Sequence, residues 1–149
     1  MKLNELFDKS PGYLVQSDSA NLFKTTTNIG GNLYVFVASL DYGNTWGVHK
    51  EFWNVEFYEQ DAGSRKYGKT GKGNELQVFS FVKDSFQEFL SRYAPEAIAF
   101  TAQKESGDSN NNRANLYSRM IKRLFKDWDI YLINHDDAVF FRISKPEID

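Results

Sequence analysis

The chain has 149 residues, 41% of them hydrophobic and 16% aromatic, with a formal charge of −2. That length fits one domain without room for a second core, and aromatics, which bury a large area each, can close that core. So small a charge predicts no general affinity for nucleic acid, and the lack of cysteine excludes disulfides, thiolate zinc sites, iron–sulfur clusters and a cysteine nucleophile.

In chain order, Met1 to Asp8 is too polar for a signal peptide and suits one short helical turn. No apolar run approaches the ~20 residues of a membrane span, so a soluble, cytoplasmic protein is expected. Ser10-Pro11-Gly12 breaks the chain. Strands are expected at 13–15, at 22–27, where threonines suit a pleated surface, and at 33–40, an apolar run of strand length. Turns are expected at 28–32 and 41–44. A long strand follows over 46–59, with Trp53, Val55 and Phe57 on one face by alternation. The last three of these strands form an antiparallel meander.

Asp61 to Gly73 is read as a loop with four glycines. The period then changes. Phe79, Val82, Phe86, Phe89, Leu90 and Tyr93 recur at helical spacing, and Asn74 with Gln77 resembles a capping box. This predicts a helix over about 75–93, ended by Ala94-Pro95. A short strand at 97–102 and a polar loop at 103–112 follow. A second amphipathic helix is predicted over about 113–127. Tyr117, Met120, Ile121, Leu124 and Trp128 form its apolar side, and Arg119, Lys122, Arg123 and Lys126 its basic side. Strands at 130–133 and 138–143, joined by a turn at 134–137, complete the chain.

Gly63-Ser64-Arg65-Lys66-Tyr67-Gly68-Lys69-Thr70 spells the Walker A pattern. That mechanism needs a parallel strand before the loop and a helix beginning at Lys-Thr. Here Gly71, Lys72 and Gly73 follow instead, so a flexible basic loop is the better reading. Gly71-Lys72-Gly73-Asn74 lies directly before the predicted helix. A Gly-x-Gly turn there leaves amides free at the positive end of the helix dipole, a seat for a pyrophosphate.

Strand, Gly-x-Gly, amphipathic helix, strand, polar loop, helix and two strands resembles, over roughly residues 46–143, the C-terminal half of the Gcn5-related N-acetyltransferase (GNAT) fold. Asn110-Asn111-Asn112-Arg113-Ala114-Asn115-Leu116-Tyr117 is similar to the opening of that family's last helix, with Asn110 seven positions before the tyrosine. The resemblance implies acetyl-CoA as cofactor. It gives Tyr117 the role of proton donor to the departing thiolate, and Gly71, Lys72, Gly73, Asn74 and Asn110 a place in cofactor binding. Ala99-Phe100-Thr101-Ala102-Gln103-Lys104-Glu105 and Arg113 … Leu116-Tyr117-Ser118-Arg119, with Thr70-Gly71-Lys72-Gly73, also look like small uncharacterised proteins of tailed bacteriophages. That resemblance implies a role in the encounter with the host.

Glu56 and Glu59 lie on the long strand. Glu59 is the candidate base for an amine acceptor, against the ordinary reading of a solvated strand face. His49 and His135 have no second histidine or cysteine at ligand spacing, so no metal is expected. Asp136 and Asp137 suit a hairpin turn. The basic side of the second helix could meet phosphates or an acidic protein, although such a stripe is usually the wet side of a helix.

The expected fold is therefore one α/β (α+β) domain, a mixed, mainly antiparallel sheet with two main helices in GNAT-like order. The expected function is an acyl-CoA-binding, acetyltransferase-like phage protein. The alternative is a non-catalytic interaction protein on the same scaffold, directed at a host factor or host defence; a nucleic-acid binder, through Arg119, Lys122, Arg123 and Lys126, ranks below both.

Overall fold

The structure, a computed structural model, describes residues 12–43, 50–61, 64–66, 75–103, 112–135 and 138–146. Its elements are β1 (Leu14–Ser19), β2 (Leu22–Ile29), β3 (Asn32–Gly43), β4 (Lys50–Asp61), β5 (Ser64–Lys66), α1 (Glu75–Tyr93), β6 (Ala97–Gln103), α2 (Asn112–Leu124), β7 (Asp129–Asn134) and β8 (Ala138–Ser144). The chain is α+β, with a mixed sheet ordered β1-β2-β3-β4-β6-β8-β7 and β5 added to β4.

The meander forms as expected, because β2, β3 and β4 pair antiparallel along long registers. Two strands, β3 and β1, run further than the apolar pattern indicates. Asp41, Tyr42 and Gly43, expected as a turn, continue β3 and pair with Phe52, Glu51 and Lys50. β1 extends through Gln16-Ser17-Asp18-Ser19, a polar stretch with no alternation. It is an edge strand and exposed along most of its length, so backbone pairing with β2 holds it rather than burial. The turn between β2 and β3 uses Gly30 and Gly31, both with positive φ (59° and 84°), the backbone that a tight hairpin of right-twisted strands requires.

The first helix occupies 75–93, the expected span. Its last turn ends at Ala94, whose φ is 45°, ahead of Pro95. The second is shorter than expected. The amide of Phe125 still reaches Ile121, but that of Trp128 bonds Phe125, and Asp127 turns left-handed with φ 72°. Aspartate tolerates that conformation better than most residues, which is why the chain leaves the helix there.

Both helices lie on the same face of the sheet. Phe36 pairs with Phe57 and Val55 with Phe100, so alternation puts Phe36, Phe57 and Phe100 on one side. Phe86 of α1 meets Phe36 at 4.9 Å and Phe100 at 5.2 Å, while Tyr117 of α2 meets Phe57 and Phe100. The core between sheet and helices is built on fully buried phenylalanines: Phe23, Phe36, Phe81, Phe86, Phe89 and Phe100. Phe125, outside the predicted apolar side of α2, is buried with them and meets Phe86 at 6.0 Å. One polar link crosses this layer, a 2.7 Å hydrogen bond between the hydroxyls of Thr25 on β2 and Ser85 on α1.

β4 and β6 form the parallel pair, with α1 as the crossover between them. Their ladder is short: Trp53 with Ile98, Asn54 with Ala99 and Val55 with Phe100. Beyond it β4 runs on to Asp61 and β6 to Gln103, and the two strands part.

Candidate functional site

The point where β4 and β6 part is built from alternation on β4. Trp53, Val55, Phe57 and Glu59 share the helix-facing side, so the first three enter the core layer and Glu59 follows them at the strand's far end. Glu59 is therefore 9% exposed rather than solvated, whereas Glu56, on the opposite face, is exposed. Across the β3–β4 ladder Glu59 stands opposite Tyr34, and the Tyr34 ring stacks on Phe57 at 6.0 Å with an interplanar angle of 9°.

Tyr117 enters from α2. The apolar spacing that includes Met120 and Ile121 turns it toward the sheet, and it is 4% exposed. Three rings surround it: Phe57 on β4 at 6.5 Å, Phe100 on β6 at 5.8 Å and Phe79 in the second turn of α1 at 6.3 Å. Phe100 closes the β4–β6 ladder and Phe57 lies just past it. Tyr117 thus occupies the fork between the strands, beside the start of α1. The fork brings together Tyr117, the N-terminal part of α1 and, through Phe57, the end of β4 that carries Glu59.

Gly71, Lys72, Gly73, Asn74 and Asn110 lie outside the described residues. So do His49, Asp136, Asp137, the N-terminal segment 1–8 and most of the Walker-like stretch. The part of that stretch that is described corrects the loop reading of 61–73, because Ser64–Lys66 forms β5. It pairs antiparallel with β4 through Glu59–Lys66, Gln60–Arg65 and Asp61–Ser64. A strand residue has one neighbour on each side, and β3 occupies one side of Glu59, so β5 lies on the edge of β4 that faces β6. The chain thus lines part of its own fork. Acidic positions 59 and 61, then Gly63, then basic 65 and 66 carried the signal for this hairpin.

A cavity of about 590 Å³ opens at the other end of the strands, lined by Leu40, Glu51, Trp53, Tyr93, Pro95 and Glu96 among others. Beside it the Tyr93 hydroxyl donates to the Asp18 carboxylate, and Arg92 bonds Asp18 at 2.6 Å and Glu88 at 2.8 Å. The hydrogen bond from Tyr93, with Arg92, holds the Asp18 carboxyl below its usual range, and burial together with Asp18 pushes the Tyr93 phenol up to about 12. This corner ties β1 to the end of α1 and is remote along the strands from Tyr117.

Among the described residues no group of three His, Cys, Asp or Glu gathers as a metal site, and no helix is long and apolar enough to cross a membrane. Comparison of the chain with protein-family profiles, with curated proteins and with solved structures gives no match.

Proposed function

We propose that the chain is a GNAT-like, phage-encoded protein that binds an acyl-coenzyme A at the fork between β4 and β6. The single observation that carries this is the seat of Tyr117, where the parallel strands part and the start of α1 approaches. Strand order supports it too. A strand, one helix, a second strand, a further helix and two last strands is the order along the chain that the resemblance implies, and here the first two of those strands pair parallel.

Bound acetyl-CoA would supply a thioester acyl group for transfer to an amine. The amides of residues 71–74 and the positive end of α1 would hold the pyrophosphate, with Lys72 adding charge and Asn110 approaching from the start of α2. Tyr117 would hold a phenolic proton at the fork for the leaving thiolate. Glu59 would take a proton from the amine, directly or through water. Tyr117 and Glu59 are both enclosed, so access requires the packing around the fork to yield.

That enclosure is also what favours the second reading, a non-catalytic host-directed protein in which Tyr117 and Glu59 serve the packing of the fork. The two separate by titration with millimolar acetyl-CoA, read by melting temperature and by calorimetry. Binding should raise the melting temperature in step with ligand concentration, by about 2.7 kcal/mol of added stability at one hundred times Kd. No shift and no heat would remove the acyl-CoA reading. A specific partner captured from host lysate would then establish the second.

A further inference from the structure

The outer side of α2 concentrates positive charge in a chain that is acidic elsewhere. Residues 112–126 hold five cations and no acid, leaving thirteen cations against twenty acids in the rest. Four of the five are Arg119, Lys122 and Arg123 on α2 and Lys126 in the turn that follows it. The opposite side of the helix is fixed by Tyr117, Met120 and Ile121 in the core, so these four point outward, and all four are exposed. None of them forms an ion pair among the described residues, unlike Arg92, which holds two carboxylates.

From this we infer that α2 is a docking surface for the phosphate backbone of a nucleic acid. Charge complementarity favours that polyanion. Arg119, Lys122 and Arg123 on α2, with Lys126 in the turn after it, are exposed, and no acid falls between 112 and 126, so a backbone of closely repeated negative charge meets attraction along the whole patch. Contacts of this kind position a nucleic acid without reading its sequence, so binding is sequence-independent and salt-dependent. The surface is separate from the fork, and the inference does not rest on acyl-CoA binding.

The experiment is fluorescence anisotropy of the full chain with labelled single-stranded and double-stranded oligonucleotides of mixed sequence, from 50 to 200 mM salt. Four phosphate contacts predict that affinity falls roughly 50-fold for single strands and 150-fold for duplex over that range. Lys122→Gln and Arg123→Gln should each lower the slope of log K against log salt by about 1, and the fourfold glutamine variant should abolish binding. Lys24→Gln, which removes one charge from β2, should change nothing. Melting curves show whether each variant is folded; glutamine on an exposed helix face is well tolerated. No binding of either oligonucleotide at 50 mM salt would overturn the inference. So would binding that the folded fourfold variant retains, and so would capture of an acidic protein through these four residues with no nucleic acid bound.

Discussion

The ring of Tyr117 stands nearly perpendicular to that of Phe100, 83° at 5.8 Å, and Phe100 is the last residue of β6 to pair with β4. A helix side chain therefore packs over the point where a parallel ladder ends. Packing and the proposed chemistry place different demands on that side chain. Tyr117→Ala removes a buried ring and should cost about 3–5 kcal/mol, measured by denaturant unfolding. Tyr117→Phe keeps the ring and tests the hydroxyl. If acyl transfer is detected, the phenylalanine variant should lower kcat with KM little changed, as loss of a group acting only in the transition state requires. Unaltered kcat would leave Tyr117 a packing residue.

Phe86 is the hub of the layer between sheet and helices, with edge-to-face contacts to Phe36, Phe100 and Phe125 at 4.9, 5.2 and 6.0 Å. Phe86→Ala should cost about 3–5 kcal/mol, and Phe86→Leu markedly less. In a double-mutant cycle with Phe125→Ala, a coupling of about 0.5–1.5 kcal/mol is expected from the ring pair. Zero coupling would mean that α2 docks independently of α1.

Thr25 and Ser85 are both fully buried, and each satisfies the other. Replacing one partner strands a hydroxyl in an apolar layer. Thr25→Val or Ser85→Ala alone should each cost about 1–3 kcal/mol, while the double variant should cost less than the sum. Additive losses, measured by thermal unfolding, would show that water or another group satisfies the remaining hydroxyl.

Asp18 has a folded pKa below its usual 3.8, chiefly through the Tyr93 hydrogen bond and then Arg92. A depressed carboxyl contributes stability above its unfolded pKa and loses it as pH falls through the folded value. Tyr93 runs the other way. Its phenol is raised from 10.0 to about 12, so its share is fully present below 10 and lost as pH rises through about 12. Asp18→Asn should therefore melt lower than the wild type at pH 7, with the gap closing as pH is taken down toward about 2. A gap that stays constant across that range would assign the loss to geometry rather than charge.

The spans of β2, β6, β8 and α1 were legible within a few residues, because alternation and helical periodicity both report a buried side. β1 was hardly legible, since Gln16 to Ser19 are polar and exposed and nothing in their pattern marks an edge strand. The continuation of β3 through Asp41, Tyr42 and Gly43 was hidden by turn-forming residues that ladder pairing overrides. At the fork, Tyr117 was singled out by its motif neighbours. Its enclosure by Phe57 and Phe79 was not legible, because those rings lie 60 and 38 residues away in the chain. For Glu59 the ordinary reading of a solvated strand face fails for a simpler reason. The same alternation that buries Val55 and Phe57 buries it too, and a charged residue conceals that phase.

The three-residue ladder between β4 and β6 has a consequence for the order of assembly. Among the described residues, every other pairing in the sheet joins strands adjacent in the chain, apart from β6 with β8. The meander β1–β4 and the hairpin β7–β8 can close over small loops, but Val55 and Phe100 must be brought together across 45 residues for three pairs. The seam between the two halves should thus form late, once α1 has folded and Phe86 can reach both sides. In pulsed hydrogen exchange during refolding, the amides of 98–100 should gain protection after those of 34–38; simultaneous protection would mean that the sheet forms as one unit.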